Sequence, residues 1–201
     1  MVDVAKVRMF GQNIGTFVWD DSYRVARFEY DNDFVGKGIE PSPIMMPVQQ
    51  GRIYSFGSLN WDTFNGLPGM LADSLPDTYG RALFDQWLIL TGRTTSNPVE
   101  SLCFLGQRCM GALEFEPATG PSSDANMKFE IDTLIDVARE ALSKKKDFGV
   151  NLDVDRKAAI AEILRLGTSA GGQRAKAIIA YNKGTGEVRS GQISVPEGFD
   201  Y

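Results

Sequence analysis

The alternation of apolar and charged side chains over residues 4–30 restricts this chain more than any other feature. Val7 and Met9, then Ile14, Phe17 and Trp19, flank a turn at Gly11-Gln12-Asn13. A second turn at Asp20-Asp21-Ser22 leads into a segment where Ala26, Phe28 and Tyr30 alternate with Arg27 and Glu29. A period of two puts one residue set on each face of a strand. The segment therefore predicts an antiparallel meander with one buried face.

The remaining chain predicts an α+β protein. Pro41, Pro43 and Pro47 lack an amide donor, so their segment reads as an extended edge or loop, with a short strand at Arg52–Phe56 to follow. Phe64 to Gly80 reads as a loop, with glycines and prolines at close intervals. A helix is expected from Pro76, with Leu83, Phe84, Trp87 and Leu88 on one face and Gly92 past its end. Asn97-Pro98-Val99-Glu100 starts another, since Asn caps, Pro fits the first helical position and Glu sits three residues after the cap; it should end near Gly106. Arg108–Glu116 reads as a strand. Pro117 to Ala125 has the composition of a boundary, which divides the chain into 1–117 and 122–201. In the second part, helices are expected after Asp132 and from Asp153 or Asp155. A strand at Ala175–Tyr181, a turn at Asn182–Gly186 and a return strand at Glu187–Ser194 follow.

Composition narrows the chemistry. The 201 residues include no histidine, which removes a Ser-His-Asp triad, a Cys-His dyad and an H-E-x-x-H zinc site from this chain. With 21 basic and 26 acidic residues the net charge is −5, which opposes unaided binding to phosphate backbones. The run Lys144-Lys145-Lys146 reads as a solvated helix end. Cys103 and Cys109 sit among apolar neighbours without a second pair, so they are expected as buried free thiols rather than zinc ligands. The N-terminus lacks an apolar signal core, and no stretch approaches the ~18 apolar residues needed to span a bilayer. A soluble, cytoplasmic protein with no membrane partner is expected.

Two glycine-containing segments could carry function. The first is Gly167-Thr168-Ser169-Ala170-Gly171-Gly172-Gln173-Arg174-Ala175-Lys176. Glycines let backbone amides approach phosphate oxygens, and Arg174 and Lys176 add positive charge. Neither a Walker A sequence nor a G-x-G-x-x-G fingerprint is present in this loop. Phosphate binding and a plain glycine turn both remain open on spacing alone. The second is Phe64-x-Gly66-Leu67-Pro68-Gly69-x-x-Ala72-Asp73-Ser74-Leu75-Pro76-Asp77-x-x-Gly80. Asp73 and Asp77 could be paired carboxylates for acid–base work. They are also helix-capping residue types beside a proline, as is Ser74.

Together with the opening Gly11-Gln12-Asn13-Ile14-Gly15-Thr16-Phe17, these two segments resemble, in order and spacing, the HipA-like serine/threonine kinase toxins of bacterial toxin–antitoxin modules. The resemblance covers nearly the whole chain. It implies a β-rich N-terminal subdomain followed by the start of a protein-kinase-like N-lobe. It also implies ATP and Mg²⁺ as cofactors, and a protein substrate of the aminoacyl-tRNA synthetase class. A helix-turn-helix antitoxin is the implied partner, with DNA reached only through it.

By the same resemblance Gly171, Gly172, Gln173, Arg174 and Lys176 belong to the loop over the ATP phosphates. The autophosphorylated hydroxyl would be Thr168 or Ser169. The family's ATP-contacting Lys and its two catalytic Asp residues have no counterpart before Tyr201. The 201-residue chain is therefore expected to be an inactive N-terminal portion of a kinase. The alternative is a stand-alone regulatory module that docks on a partner kinase.

Overall fold

The computed structural model describes residues 1–121, 179–190 and 197–200. The chain forms two compact units, one of Met1–Leu75 with Ser96–Thr119, the other of Pro76–Thr95 with Gly120–Tyr201. The helices expected after Asp132 and from Asp153 or Asp155 lie outside the described residues, as does the basic run at 144–146.

The first unit is built on the meander. Strands β1 (Val4–Met9), β2 (Gln12–Asp20) and β3 (Val25–Tyr30) pair antiparallel in sequence. The two-residue β4 (Ile53–Tyr54) lies on one edge and β5 (Leu113–Glu116) on the other, giving the order β4-β3-β2-β1-β5. A register shift between Val7 and Arg8 precedes the tight turn at Phe10-Gly11. Arg8 locks that turn by donating to the Gly11 carbonyl, and its guanidinium also pairs with Glu116 at 2.6 Å. Alternation holds on both sides: Ala5, Val7, Phe17, Trp19, Ala26, Phe28, Tyr30 and Phe115 are buried, while Lys6, Arg27 and Glu29 face water.

The proline segment is a loop that closes the buried face. Tyr30 donates its hydroxyl to the Met46 carbonyl at 2.8 Å, and Tyr54 donates to the carbonyl of Pro47. Met46 and Phe34 are thereby held in the core, Phe34 stacked on Tyr30 with ring centroids 6.0 Å apart. Helix α4 (Pro98–Leu105) covers the same face and contacts β1, β2 and β5. Its Val99, Leu102 and Cys103 join the main cluster of buried residues.

Several sequence expectations change. The first turn lies at Phe10-Gly11, with Gln12 and Asn13 already in β2, and the strand expected at Arg52–Phe56 is only Ile53–Tyr54. The segment Phe64 to Gly80 is not simply a loop. It follows on from the short helix α1 (Trp61–Phe64) and includes α2 (Gly69–Ala72) and the start of α3 (Thr78–Leu90). Helices of one turn bury too few positions to show a 3.6 period. The strand expected at Arg108–Glu116 shrinks to β5, because Gly106–Arg108 forms a 3₁₀ turn. Arg108 is buried there and donates to the carbonyls of Phe104 and Leu105, satisfying the free end of α4.

In the second unit, β6 (Ile179–Tyr181) and β7 (Val188–Ser190) form an antiparallel hairpin. Asn182 shapes its turn by accepting from the amides of Gly184 and Thr185. Asp200 pairs with Tyr181 on the other side of β6 through both backbone hydrogen bonds. Helix α3 also belongs to this unit.

Candidate functional site

The segment between Asn60 and Gly80 is a chain of turn and capping devices. Asn60 caps α1 by accepting from the Thr63 amide at 3.1 Å. Asn65 and Gly66, with φ of 49° and 74°, end that helix in the left-handed region. The reversal brings the Gly66 carbonyl to the Ala26 amide at 2.8 Å, beside the β2–β3 turn. Trp61 lies over this junction, 6.2 Å from the Trp19 ring, with the Arg24 guanidinium 4.0 Å from its own ring centre. Leu67 and Leu71 then drop into the core with no exposure, and the Pro68 carbonyl accepts from the amides of Leu71 and Ala72.

Asp73 and Asp77, the two carboxylates that could have formed an acid–base pair, serve different helices. Asp73 is exposed at the C-terminal end of α2. Asp77 is the N-cap of α3 and accepts from the Gly80 amide at 2.8 Å. Its second oxygen is buried without a hydrogen-bond partner. Ser74 is buried beside them in sequence, its amide bonded to the Leu71 carbonyl. Capping thus accounts for one oxygen of Asp77.

The loop expected to meet phosphate lies outside the described residues. This holds for Thr168, Ser169, Gly171, Gly172, Gln173, Arg174 and Lys176. What the structure describes is the hairpin that follows. In it Arg189 pairs with Glu187 at 2.5 Å and stacks over Phe199, and Lys183 pairs with Asp200 at 2.8 Å. Among the described residues no group of three or more His, Cys, Asp or Glu side chains could hold a metal ion. The fit of ATP and Mg²⁺ to the chain therefore turns on residues beyond those described.

The cysteines are free thiols, Cys103 fully buried and Cys109 half-buried. Burial pushes both thiols up to about 12 from an ordinary value of 9.0. At pH 8 each should hold about a thousandfold less thiolate than an unperturbed thiol. Alkylation by iodoacetamide should thus be negligible in the folded protein and fast in denaturant. Stability has the matching sign. The unfolded chain loses these protons first, so stability should fall as pH rises from 9 towards 12. Tyr30, also raised by burial, adds to the fall. Rapid labelling of the native protein at pH 8 would contradict the buried placement.

Two working residues escaped the sequence reading, and a third showed only half of its role. Arg24 and Trp61 are separated by 37 positions (61 − 24), and nothing in their spacing announces the stack. Asn97 does carry a visible capping signal, yet its amide also donates to the Val2 carbonyl and to Asp3 at 2.6 Å.

Among the described residues no helix is long and apolar enough to cross a membrane. Comparison with curated proteins gives no match. A family model, that of the HipA N-terminal domain, matches residues 5–116. The matched stretch begins in β1, ends with β5 and contains the whole segment from Asn60 to Gly80. With more than half of its length matched, the chain belongs to the family of the HipA N-terminal domain.

Proposed function

We propose that the chain is the N-terminal, regulatory part of a HipA-like toxin kinase that phosphorylates hydroxyls of a translation-related protein. The family match over residues 5–116 carries this reading. It is supported by the order of the later parts: a glycine-rich segment at 167–176 followed by the β6–β7 hairpin. In this reading Gly171, Gly172 and Gln173 offer backbone amides to ATP phosphates, and Arg174 and Lys176 balance their charge. Bound ATP with Mg²⁺ would supply the phosphoryl group and neutralise its charge. Thr168 or Ser169 is the hydroxyl that becomes phosphorylated and so silences the kinase. The kinase acts in the cytoplasm, and its partner is a helix-turn-helix antitoxin through which DNA is reached.

One experiment tests this. The chain is incubated with Mg·ATP, alone and joined to or mixed with the catalytic part of a HipA-like kinase, and phosphate is mapped by mass spectrometry. The chain alone should gain none. With the kinase part, phosphate should appear at Thr168 or Ser169, and phosphate found only elsewhere would refute the loop role.

A second reading has its own support. Among the described residues the first unit has a five-stranded sheet and its own core, as a regulatory module that docks on a separate kinase would require. In that case adding the chain should lower the kinase's rate on its protein substrate. No complex and no change in rate would discard this second reading.

A further inference from the structure

The chain contains a single Asn-Gly pair, Asn65-Gly66, and it falls where the chain after α1 meets the β2–β3 turn. A glycine has no side chain to shield its own amide. Once that amide gives its proton to hydroxide, its nitrogen can attack the side-chain carbonyl carbon of the preceding Asn. A C–N bond closes a five-membered succinimide and the Cγ–Nδ2 bond breaks. The leaving nitrogen takes a proton from water and departs as ammonia. Water then opens the ring at either carbonyl. One opening gives aspartate; the other gives iso-aspartate, whose main chain is one atom longer.

The fold holds this reaction off in two ways. Asn65 has φ 49° and ψ 35°. Tetrahedral geometry at its Cα then sets the Gly66 nitrogen nearly opposite Cβ across the Cα–C bond, whereas ring closure needs the two on the same side. Gly66 is also buried, so hydroxide does not reach its amide. Neither obstacle yields to a side-chain movement. Turning ψ of Asn65 carries Gly66 with it, and the Gly66 carbonyl is tied to the Ala26 amide at 2.8 Å. The Asn65 amide donates to the Trp61 carbonyl at 2.8 Å and the Leu67 amide to the Phe64 carbonyl at 2.9 Å. Leu67, next in the chain, has no exposure at all. The segment must therefore lift from the β2–β3 turn before the ring can close.

We propose that Asn65-Gly66 is a latent self-modification site, which converts to aspartate or iso-aspartate only while this segment is lifted from the sheet unit. The iso-aspartyl product cannot return to the closed position. Gly66 stands so near the β2–β3 turn that a Cβ on it would lie 2.3 Å from the Arg24 carbonyl oxygen, and a main chain lengthened by one atom finds no room there. A passing local opening thus becomes a permanent one. The reaction needs only water and hydroxide, and no kinase activity.

The test follows the full chain at pH 8 over several weeks, native and in guanidinium chloride, by peptide mapping that separates asparagine, aspartate and iso-aspartate at position 65. The denatured chain should convert. The native chain should convert at least about a hundredfold more slowly. Leu67→Ala removes the buried anchor beside the pair and should raise the native rate about tenfold or more, while the rate in denaturant stays within about twofold of wild type. Leu67→Val should raise the native rate about threefold, which covers the case where the alanine variant does not fold. Native and denatured rates that agree, a denatured chain that keeps its asparagine, or a native Leu67→Val rate equal to wild type would overturn the site.

Discussion

Gly66→Ala should destabilise the sheet unit by about 3–5 kcal/mol, far more than alanine at a glycine of similar backbone angle elsewhere. Two separate costs meet at this position. The φ of 74° is left-handed, which costs an L-residue about 1–2 kcal/mol. A Cβ there would also lie 2.3 Å from the Arg24 carbonyl oxygen, 3.0 Å from the Trp61 ring and 3.1 Å from the Trp19 ring. A backbone atom cannot swing aside as a side chain can, so the segment must lift from the β2–β3 turn. Lifting it breaks the bond from the Ala26 amide, for about 1 kcal/mol, and disturbs the packing of Leu67 for about 1–3 kcal/mol more. Gly51 is the control. Its φ is 67° in the same unit, but nothing lies within 4 Å of its Cβ position. Gly51→Ala should therefore cost only the conformational part. Urea melts of the two variants separate the contributions, and equal shifts would mean that the close approach at Gly66 carries no energy.

That contrast also shows what kind of information the sequence holds. The meander was legible because Ala26, Phe28 and Tyr30 each alternate with a polar neighbour, and a half-buried sheet imposes that period directly. The starts of α3 and α4 were legible because Asp77 and Asn97 cap through residues three positions away. The Phe64–Gly80 segment was recognisable as a pattern, but its physical reason was not. Gly66 is needed because of Arg24 and Trp19, more than forty positions earlier.

Arg108 misled for a similar reason. In sequence it continues an alternating run, but in the fold its guanidinium turns back onto the carbonyls ending α4. Burial lowers its affinity for a proton, to about 10, yet leaves it charged at neutral pH and able to hold that helix end. The assignment of α3 to the second unit was also illegible. Periodicity reveals that a helix has an apolar face, and it carries no record of which part of the chain covers it. The phosphate role expected of residues 168–176 rests on the resemblance, and these residues lie outside the described ones.

Asn97→Asp is the mildest change in shape and should be among the most damaging in the sheet unit. Asn97 stands one residue after the chain re-enters that unit and is only 6% exposed. Its oxygen accepts from the Glu100 amide at 2.9 Å and starts α4, a role that aspartate performs equally well. Its nitrogen donates to the Val2 carbonyl at 3.1 Å and to the Asp3 carboxylate at 2.6 Å, fastening the residues that lead into β1. Replacing that nitrogen by a carboxylate oxygen turns two attractive contacts into repulsive ones. Loss of a hydrogen bond to a charged group costs about 1.5–3 kcal/mol, and the new like-charge contact adds to it, so a deficit of about 3 kcal/mol or more is expected at pH 7. Asn97→Ser keeps the cap and merely removes the donor, and should cost about 1–2 kcal/mol. The aspartate variant carries a pH signature that the serine variant lacks. Two carboxyls held this close share a proton, which raises the apparent pKa of the folded pair. A raised folded value favours the fold below it, and that benefit is lost as pH rises through it. The deficit of Asn97→Asp relative to wild type should therefore shrink as pH falls from 7 towards 4, while that of Asn97→Ser stays level. Urea melts of all three proteins across this range would show it. A constant deficit for the aspartate variant would mean that Asp3 does not face position 97 in the folded chain.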